Sequence, residues 1–450
     1  MDDHKTSVPF TFDSSIIETA LRNIQSRKLN THTQIDAGLF REVSRIMVSG
    51  VETGYQAPSG ESRFLQELRT NTEVFAAFKA HRMGRDMASQ LLDENGNVKS
   101  FQQFKKDTEG IVDHHVNAWL RTEYDTAIRR AHRAAEMRQF IEEADVFPNI
   151  EWLPSTAVNP RESHMPFYHH IWSIDDPFWE KHKPGDEWGC QCGWASTADP
   201  VTDNTGLDDD EVAPPSPGLG GNPAKTAQVF SDDHPYFPSD CAHCGFYNAS
   251  VKNRLAALFQ DRKKDCYDCP YIRACINDLE AKENARRNKE LYRRLKEDKN
   301  YKHVKYDRAS GGMSASHKEH NFDKVGGEYE ITAQKVGRRN GHAVILEKEG
   351  GGAIGQRFTE GTWDGLLFEV AGRETATENN IFKGLKHCCK KRNTQIAVLV
   401  YPKGGFDENI LQAAINRYKG LKNVEGGNQF IPFVRIICIQ DDKIVYDKPF

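Results

Sequence analysis

The sequence predicts a multidomain α+β protein, with a mostly helical amino-terminal half, a small Cys-rich metal knuckle and a carboxyl-terminal mixed α/β sheet. Three observations carry this reading. Apolar residues recur at helical spacing from Ser14 to about Phe140; two Cys-x-x-Cys pairs stand twenty-one residues apart; and after Ser316 helical and strand patterns alternate. At 450 residues the chain is too long for one ordinary core, and roughly 150 residues per domain suggests about three units. The net charge of -5 gives no global nucleic-acid signature, and 38% hydrophobic with 28% charged residues argues against disorder. Asp2, Asp3 and Pro9 stand where a secretory signal needs an apolar core, and no apolar run approaches membrane-spanning length. The expectation is a chain made in the cytosol with no membrane partner. Ten clustered cysteines in such a chain point to metal before disulfides.

Residues 1–196 form the first predicted domain. Ile16, Leu21 and Ile24, then Phe40, Val43, Ile46 and Met47, fall on helical faces, and Ala118 to Phe140 has one apolar face with Arg121, Arg129, Arg130 and Arg133 elsewhere. Those arginines read as a solvated face. From Phe147 the character changes. Trp152 precedes Arg161-Glu162-Ser163-His164, then come Asp175-Asp176-Pro177-Phe178-Trp179 and Gly189-Cys190-Gln191-Cys192. Thiolate and imidazole are good zinc ligands, so His164, Cys190 and Cys192 are candidates for a metal site. Two thiols one residue apart chelate less well than a pair separated by two, which favours a structural role instead.

With Arg121-Thr122-Glu123 near the start of a long helix, this order of motifs resembles the Mu F-like minor head (head morphogenesis) proteins of tailed phages. The resemblance covers roughly Trp119 to Trp194. It departs at Gly189-Cys190-Gln191-Cys192, where that family usually has Asn-Cys-Arg-Cys. It implies a low-copy head protein in the virion, with portal and capsid partners.

Residues 197–233 read as a Pro/Gly/acidic linker: Asp208-Asp209-Asp210-Glu211, Pro214-Pro215-Ser216-Pro217-Gly218 and Gly220-Gly221-Asn222-Pro223 argue against a packed core. The next region, 234–276, opens on His234-Pro235-Tyr236-Phe237 and contains Cys241, Cys244, Cys266 and Cys269. Four thiolates at this spacing suit one structural zinc ion, since a knuckle without an apolar core needs a metal to fold. Cys275 leaves an iron-sulfur cluster or a ligand exchange open, and His243 is a possible substitute ligand. Residues 277–316 read as a charged helical linker ending in a flexible joint, Ser310 to Ser316.

In residues 317–450 the expected order is helix (Asn321 to Arg339), strands (His342 to Glu347, Ala353 to Thr359, Leu366 to Val370), helix (Glu378 to Lys391), strand (Ile396 to Tyr401) and helix (Asp407 to Tyr418). Phe433 to Gln440 and Lys443 to Val445 close the sheet. Asp364 lies on a turn, Glu369 at a strand end, and Glu328 in the preceding helix. Such a trio suits a magnesium ion that assists phosphodiester cleavage, although Asp364 and Glu369 share a face only if the strand bends near Gly365. As ordinary alternatives, Asp-Gly is a common turn pair and an acid at a strand end is usually solvated.

The order of elements and acids resembles the PD-(D/E)xK nuclease core, in particular the tRNA-cleaving toxin domains of contact-dependent inhibition proteins. The resemblance implies an Mg-dependent endonuclease with an RNA substrate, a recipient cell and an immunity partner, and makes Glu328, Asp364 and Glu369 metal ligands. The motif's lysine is missing, for the chain reads Glu369-Val370-Ala371. Arg373 or Lys383 would have to supply that cation, and His320 is a candidate proton carrier. Thr377 reads as the cap of the following helix. The alternative is a purely structural head protein whose last domain has lost its chemistry.

Overall fold

The computed structural model describes residues 10–56, 62–207, 212–257, 262–322, 326–348, 359–391, 393–403, 405–421 and 433–450. The chain divides into two compact units, Met1–Asn277 and Asp278–Phe450. No described helix is long and apolar enough to cross a membrane.

The first unit begins with α1 (Ser15–Gln25), α2 (Ala37–Gly54) and α3 (Ser62–Ala88), continues through α4 (Phe101–Asp107), α5 (Glu109–Asp113) and a π turn (His114–Ala118), and reaches α6 (Trp119–Glu142). Asp36 caps α2 by accepting from the amides of Gly38 and Leu39. Helix α2 packs against both α3 and α6. The α2–α6 approach is close because of Gly54, where a Cβ would stand 2.1 Å from the Ile128 carbonyl oxygen. After α6 the chain forms a three-stranded antiparallel sheet, order β2-β1-β3, from β1 (Asn149–Leu153), β2 (Ile171–Ser173) and β3 (Gly193–Thr197). Under it Trp152, Phe167, Trp172, Phe178 and Trp179 are buried, with Trp172 and Phe178 stacked at 4.0 Å. The two aromatic rings of the acidic-Pro-Phe-Trp motif are thus core, presented by α7 (Phe178–Lys181), while Asp175 and Pro177 stay exposed.

The stretch expected to be a loose linker is packed instead. Leu219, Asn222, Ala224, Val229 and Phe230 are buried, and α8 (Pro223–Thr226) is capped by Asn222. The reason is Arg130 on α6, which is 1% exposed. Its guanidinium donates to the carbonyl oxygens of Val229 (2.6 Å), Leu219 (2.8 Å), Gly185 (3.1 Å) and Gly220 (3.1 Å). Proline and glycine leave backbone carbonyls without partners, and one buried arginine collects them. Residues 208–211, the acidic run, lie outside the described residues. Beyond the cysteine-rich turns and α9 (Val251–Ala257), α10 (Pro270–Glu297) begins with Ile272 and Ile276 buried.

The second unit is an eight-stranded sheet, order β11-β10-β9-β8-β7-β6-β5-β4. Its first strands are β4 (Tyr301–Tyr306) and β5 (Met313–His317). The expected flexible joint is therefore an interior strand: Met313, Ser314, Ala315 and Ser316 are all buried. Small and hydroxyl side chains read as a hinge by composition, but here β4 and β6 flank them and Leu295 of α10 packs onto them. The charged run before it is not simply an exposed spacer either, since Leu291, Tyr292 and Leu295 face this sheet.

The remaining elements are α11 (Gly327–Arg339), β6 (Ala343–Leu346), β7 (Gly361–Trp363), β8 (Leu366–Gly372), α12 (Glu378–Cys388), β9 (Ile396–Tyr401), α13 (Glu408–Lys419), β10 (Arg435–Gln440) and β11 (Lys443–Pro449). Strands β6, β7 and β8 form an antiparallel meander; β8, β9 and β10 run parallel. The expected strand Ala353 to Thr359 lies, but for Thr359, outside the described residues. Strand β9 is buried on both faces. Ile396, Val398 and Val400 join a core with Ala333 and Val336 of α11, whereas Ala397, Leu399 and Tyr401 join Ile381, Leu385 and Leu411 of α12 and α13.

Candidate functional site

Three of the expected site residues are held apart in the second unit. Asp364 and Gly365 have φ of 51° and 87°, the backbone of a two-residue type I′ hairpin turn between β7 and β8. Asp364 is spent on that turn's surroundings: its carboxylate is 2.7 Å from His342 Nδ1 and accepts from the Ala343 amide at 2.9 Å. Burial alone would raise its pKa, but the His342 contact, the amide and Arg435 together hold it below the usual carboxylate range. Glu328 is exposed on α11. Glu369, three residues into β8, is fully buried. No bend turns Asp364 and Glu369 toward one ion. Arg373 and Lys383 are exposed, and the Arg373 guanidinium donates to the Gly372 carbonyl.

A different set gathers around Glu369. The two-residue turn pairs Trp363 with Leu366 and Gly361 with Phe368, so Glu360 and Glu369 are the next residues across the hairpin. Lys391, just beyond α12, puts its ammonium 3.3 Å from Glu369 Oε1 and 3.9 Å from Glu360 Oε1. His387 Nε2 lies 3.1 Å from Glu369 Oε1, and Glu369 Oε2 is buried with no hydrogen-bond partner among the described residues. On the other side of Glu360, His320 Nε2 is 3.9 Å away and 2.9 Å from Glu330 Oε2. His320 Nδ1 faces the Glu347 carbonyl oxygen at 2.7 Å. Glu330 belongs to the buried face of α11 with Ala333, Val336 and Gly337. His320, Glu330 and Glu360, all buried, bring their ligand atoms within 4.8 Å of one another, a donor set suited to a divalent cation.

Of the sequence-derived residues, the structure retains His320 and Glu369 in this cluster. It adds Glu330, Glu360 and Lys391. Two signals could have found the glutamates, and none the lysine. Glu330 shares the apolar stripe of its helix whereas Glu328 does not, and a two-residue Asp-Gly turn fixes Glu360 opposite Glu369 by counting outward. Thr377 caps α12 as expected, accepting from the Asn380 amide at 3.3 Å.

In the first unit the four knuckle cysteines are brought into one neighbourhood. Cys244 and Cys266 are buried, Cys241 and Cys269 half-buried, and none is in a disulfide. Burial raises the thiol pKa of Cys241, Cys244 and Cys266, and each also feels neighbouring cysteines: Cys269 acts on Cys241, Cys241 and Cys269 on Cys244, and Cys244 and Cys269 on Cys266. No three of these four thiols bring their sulfurs within 4.8 Å of one another; the described group of the first unit that does so is His164, Cys190 and Cys192, all buried. It adjoins a cavity of about 280 Å³ lined by Asn159, Arg161, Gly189 and Gln191 together with those three residues.

No family model and no solved structure matches this chain. It is similar to protein F of Escherichia phage Mu, which carries a capsid-assembly name, with 29% identity over 73 residues, 16% of this chain and 17% of that protein. It is also similar to the F protein of the Mu-like prophage FluMu of Haemophilus influenzae, with 30% identity over 88 residues, 20% of this chain and 21% of that one. The chain thus matches about a fifth of the length of these curated relatives, and within that stretch it is similar to F proteins of Mu and of a Mu-like prophage.

Proposed function

We propose that the chain is a phage or prophage head-assembly protein whose second unit carries a metal-dependent endonuclease. The likeness to the two F proteins supports the first part. Its partners are then portal and capsid proteins, and its place the virion. The second part rests on one observation: Lys391 stands between Glu360 and Glu369, two acids that face each other across a hairpin. A nuclease of this kind needs acids to hold Mg²⁺ and a cation to steady the phosphate, and Lys391 answers for the lysine missing at Ala371. Glu330, Glu360 and Glu369 take the metal-side role first given to Glu328, Asp364 and Glu369. His320 holds Glu330 in place and is the group that can carry a proton. The substrate proposed is RNA of the tRNA class, with delivery to a recipient cell and an immunity partner following from that reading.

The test is incubation of the full chain with tRNA and Mg²⁺ beside Glu369→Gln and Lys391→Ala. Cleavage by the parent alone supports the reading. A second reading, a structural domain without chemistry, is favoured by the complete burial of Glu369, and predicts intact tRNA throughout. Cleavage of duplex DNA but not tRNA would keep the site and change its substrate. For Cys241, Cys244, Cys266 and Cys269 we propose one structural Zn²⁺, which metal analysis of the intact protein tests; an iron-containing product would overturn it.

A further inference from the structure

We propose that His164, Cys190 and Cys192 hold a four-coordinate cation of the zinc class whose fourth position opens onto the adjoining cavity. The geometry is that of a ligand set. His164 Nδ1 lies 3.4 Å from Cys190 Sγ and 3.6 Å from Cys192 Sγ. Metal–sulfur bonds of about 2.3 Å and metal–nitrogen bonds of about 2.0 Å at a tetrahedral angle put sulfur and nitrogen roughly 3.5 Å apart. A single imidazole nitrogen thus faces both sulfurs at the separation a shared ion imposes. A hydrogen bond to one thiol would not explain the second.

Backbone donors also converge on one of the sulfurs. Cys190 Sγ receives the backbone amides of Gly185 and Cys192, each at 3.4 Å, which is how a negatively charged sulfur is steadied. The second imidazole nitrogen of His164 is 3.1 Å from Asp186 Oδ1, an ion-pair approach that is not aligned as a hydrogen bond, and Asp186 is itself fully buried. A carboxylate behind a ligating histidine fixes the ring and raises its donor strength, the usual support of such a site. The other Asp186 oxygen accepts from the Lys183 amide at 3.0 Å, so the carboxylate is itself held. The objection that thiols one residue apart chelate poorly is met by the backbone. Gly189 has φ of 77°, a turn that delivers both cysteines to the same nitrogen.

Cys190, His164 and Asp186 also spell out a cysteine nucleophile, a histidine base and an aspartate. That reading does not account for Cys192, nor for a would-be nucleophile 5% exposed. Soft thiolates with imidazole select zinc over magnesium or calcium. Three protein donors leave one position for water or a small oxygen ligand from the cavity, whose wall includes Arg161.

Cobalt reconstitution of the intact chain tests this without reference to nuclease activity. Cys192→Ser and His164→Gln should each lower bound Co²⁺ by about one equivalent and weaken the sulfur-to-cobalt charge-transfer band, whereas Cys266→Ser should affect a separate equivalent. Unchanged cobalt content and spectrum in folded Cys192→Ser and His164→Gln would overturn the site. Should those variants fail to fold, alkylation of the parent followed by peptide mass analysis decides: labelling of Cys190 and Cys192 should rise at least tenfold after chelation. Equal labelling with and without chelator would overturn it.

Discussion

Lys79 of α3 and Glu123 of α6 meet at 2.8 Å with both side chains wholly buried. Tyr236 completes the arrangement, donating to the other Glu123 oxygen at 2.7 Å and accepting from Lys79 at 3.1 Å. Burial pushes the Lys79 pKa down, and the Glu123 charge opposes that shift. Removing one partner of a buried pair strands the other. Glu123→Ala should therefore cost about 3–5 kcal/mol, read as a lower denaturation midpoint, and Glu123→Ala with Lys79→Met should recover part of the loss. A single variant as stable as the parent would contradict the pairing.

Arg130 supports a second prediction. Arg130→Lys keeps the charge but offers three donors from one point, so several buried carbonyl groups go unsatisfied. The expected cost is at least about 2 kcal/mol. Limited proteolysis should then cut between residues 212 and 231, a stretch the parent protects. Equal resistance would show that the guanidinium is not what holds it.

A third prediction concerns acid. Burial lowers the pKa of His81 to about 4 and of His234 to about 3. His234 Nδ1 accepts from the Tyr236 amide at 3.2 Å, which requires the neutral ring. Both groups bind protons more readily unfolded than folded, so their stabilisation is complete above an ordinary histidine pKa of about 6.5 and is lost as pH falls from there toward 4 and 3. Thermal midpoints should decline through that window, and His234→Asn, which keeps an acceptor, should flatten the decline. An unchanged slope in that variant would rule His234 out as the source.

In the second unit, Glu369→Gln should lower the proposed RNA cleavage by about 10²–10³, and Lys391→Ala by a similar factor. Arg373→Ala and Lys383→Ala should stay within about twofold of the parent, because both side chains are exposed. Gel-resolved tRNA cleavage rates at saturating Mg²⁺ check all four. Loss of activity in Lys383→Ala alone would move the site onto α12.

Much of the second unit could be read from periodicity. Helix α11, β6, β8, α12 and β9 appear in the expected order, β9 within its expected bounds, because buried strands and capped helices announce themselves locally, whereas β7 was not expected. The site was only half legible. Glu369 and His320 lie in the proposed cluster, whereas Glu328 was chosen from motif order without helical phase, and Glu330 is the acid on the buried face of α11. Asp364 misleads because an acid that makes a turn and an acid that binds a metal look alike in sequence. Lys391 had no signal near Ala371, since it arrives from beyond the next helix. The Pro/Gly segment was misread for a related reason. What orders it is Arg130, a residue from α6 that resembled its solvated neighbours.

That arginine also redraws where the front part of the molecule can be cut. A protein ended at Thr197 would retain α6 and its buried cation while discarding three of the four peptide oxygens nearest it, along with the phenol that bonds to Glu123. Such a shortened chain would leave Arg130 in an apolar interior with the Gly185 carbonyl as its remaining partner of the four, and Glu123 with Lys79 but without the phenol. Expression of the amino-terminal half should accordingly extend through Asn277, where the compact unit ends.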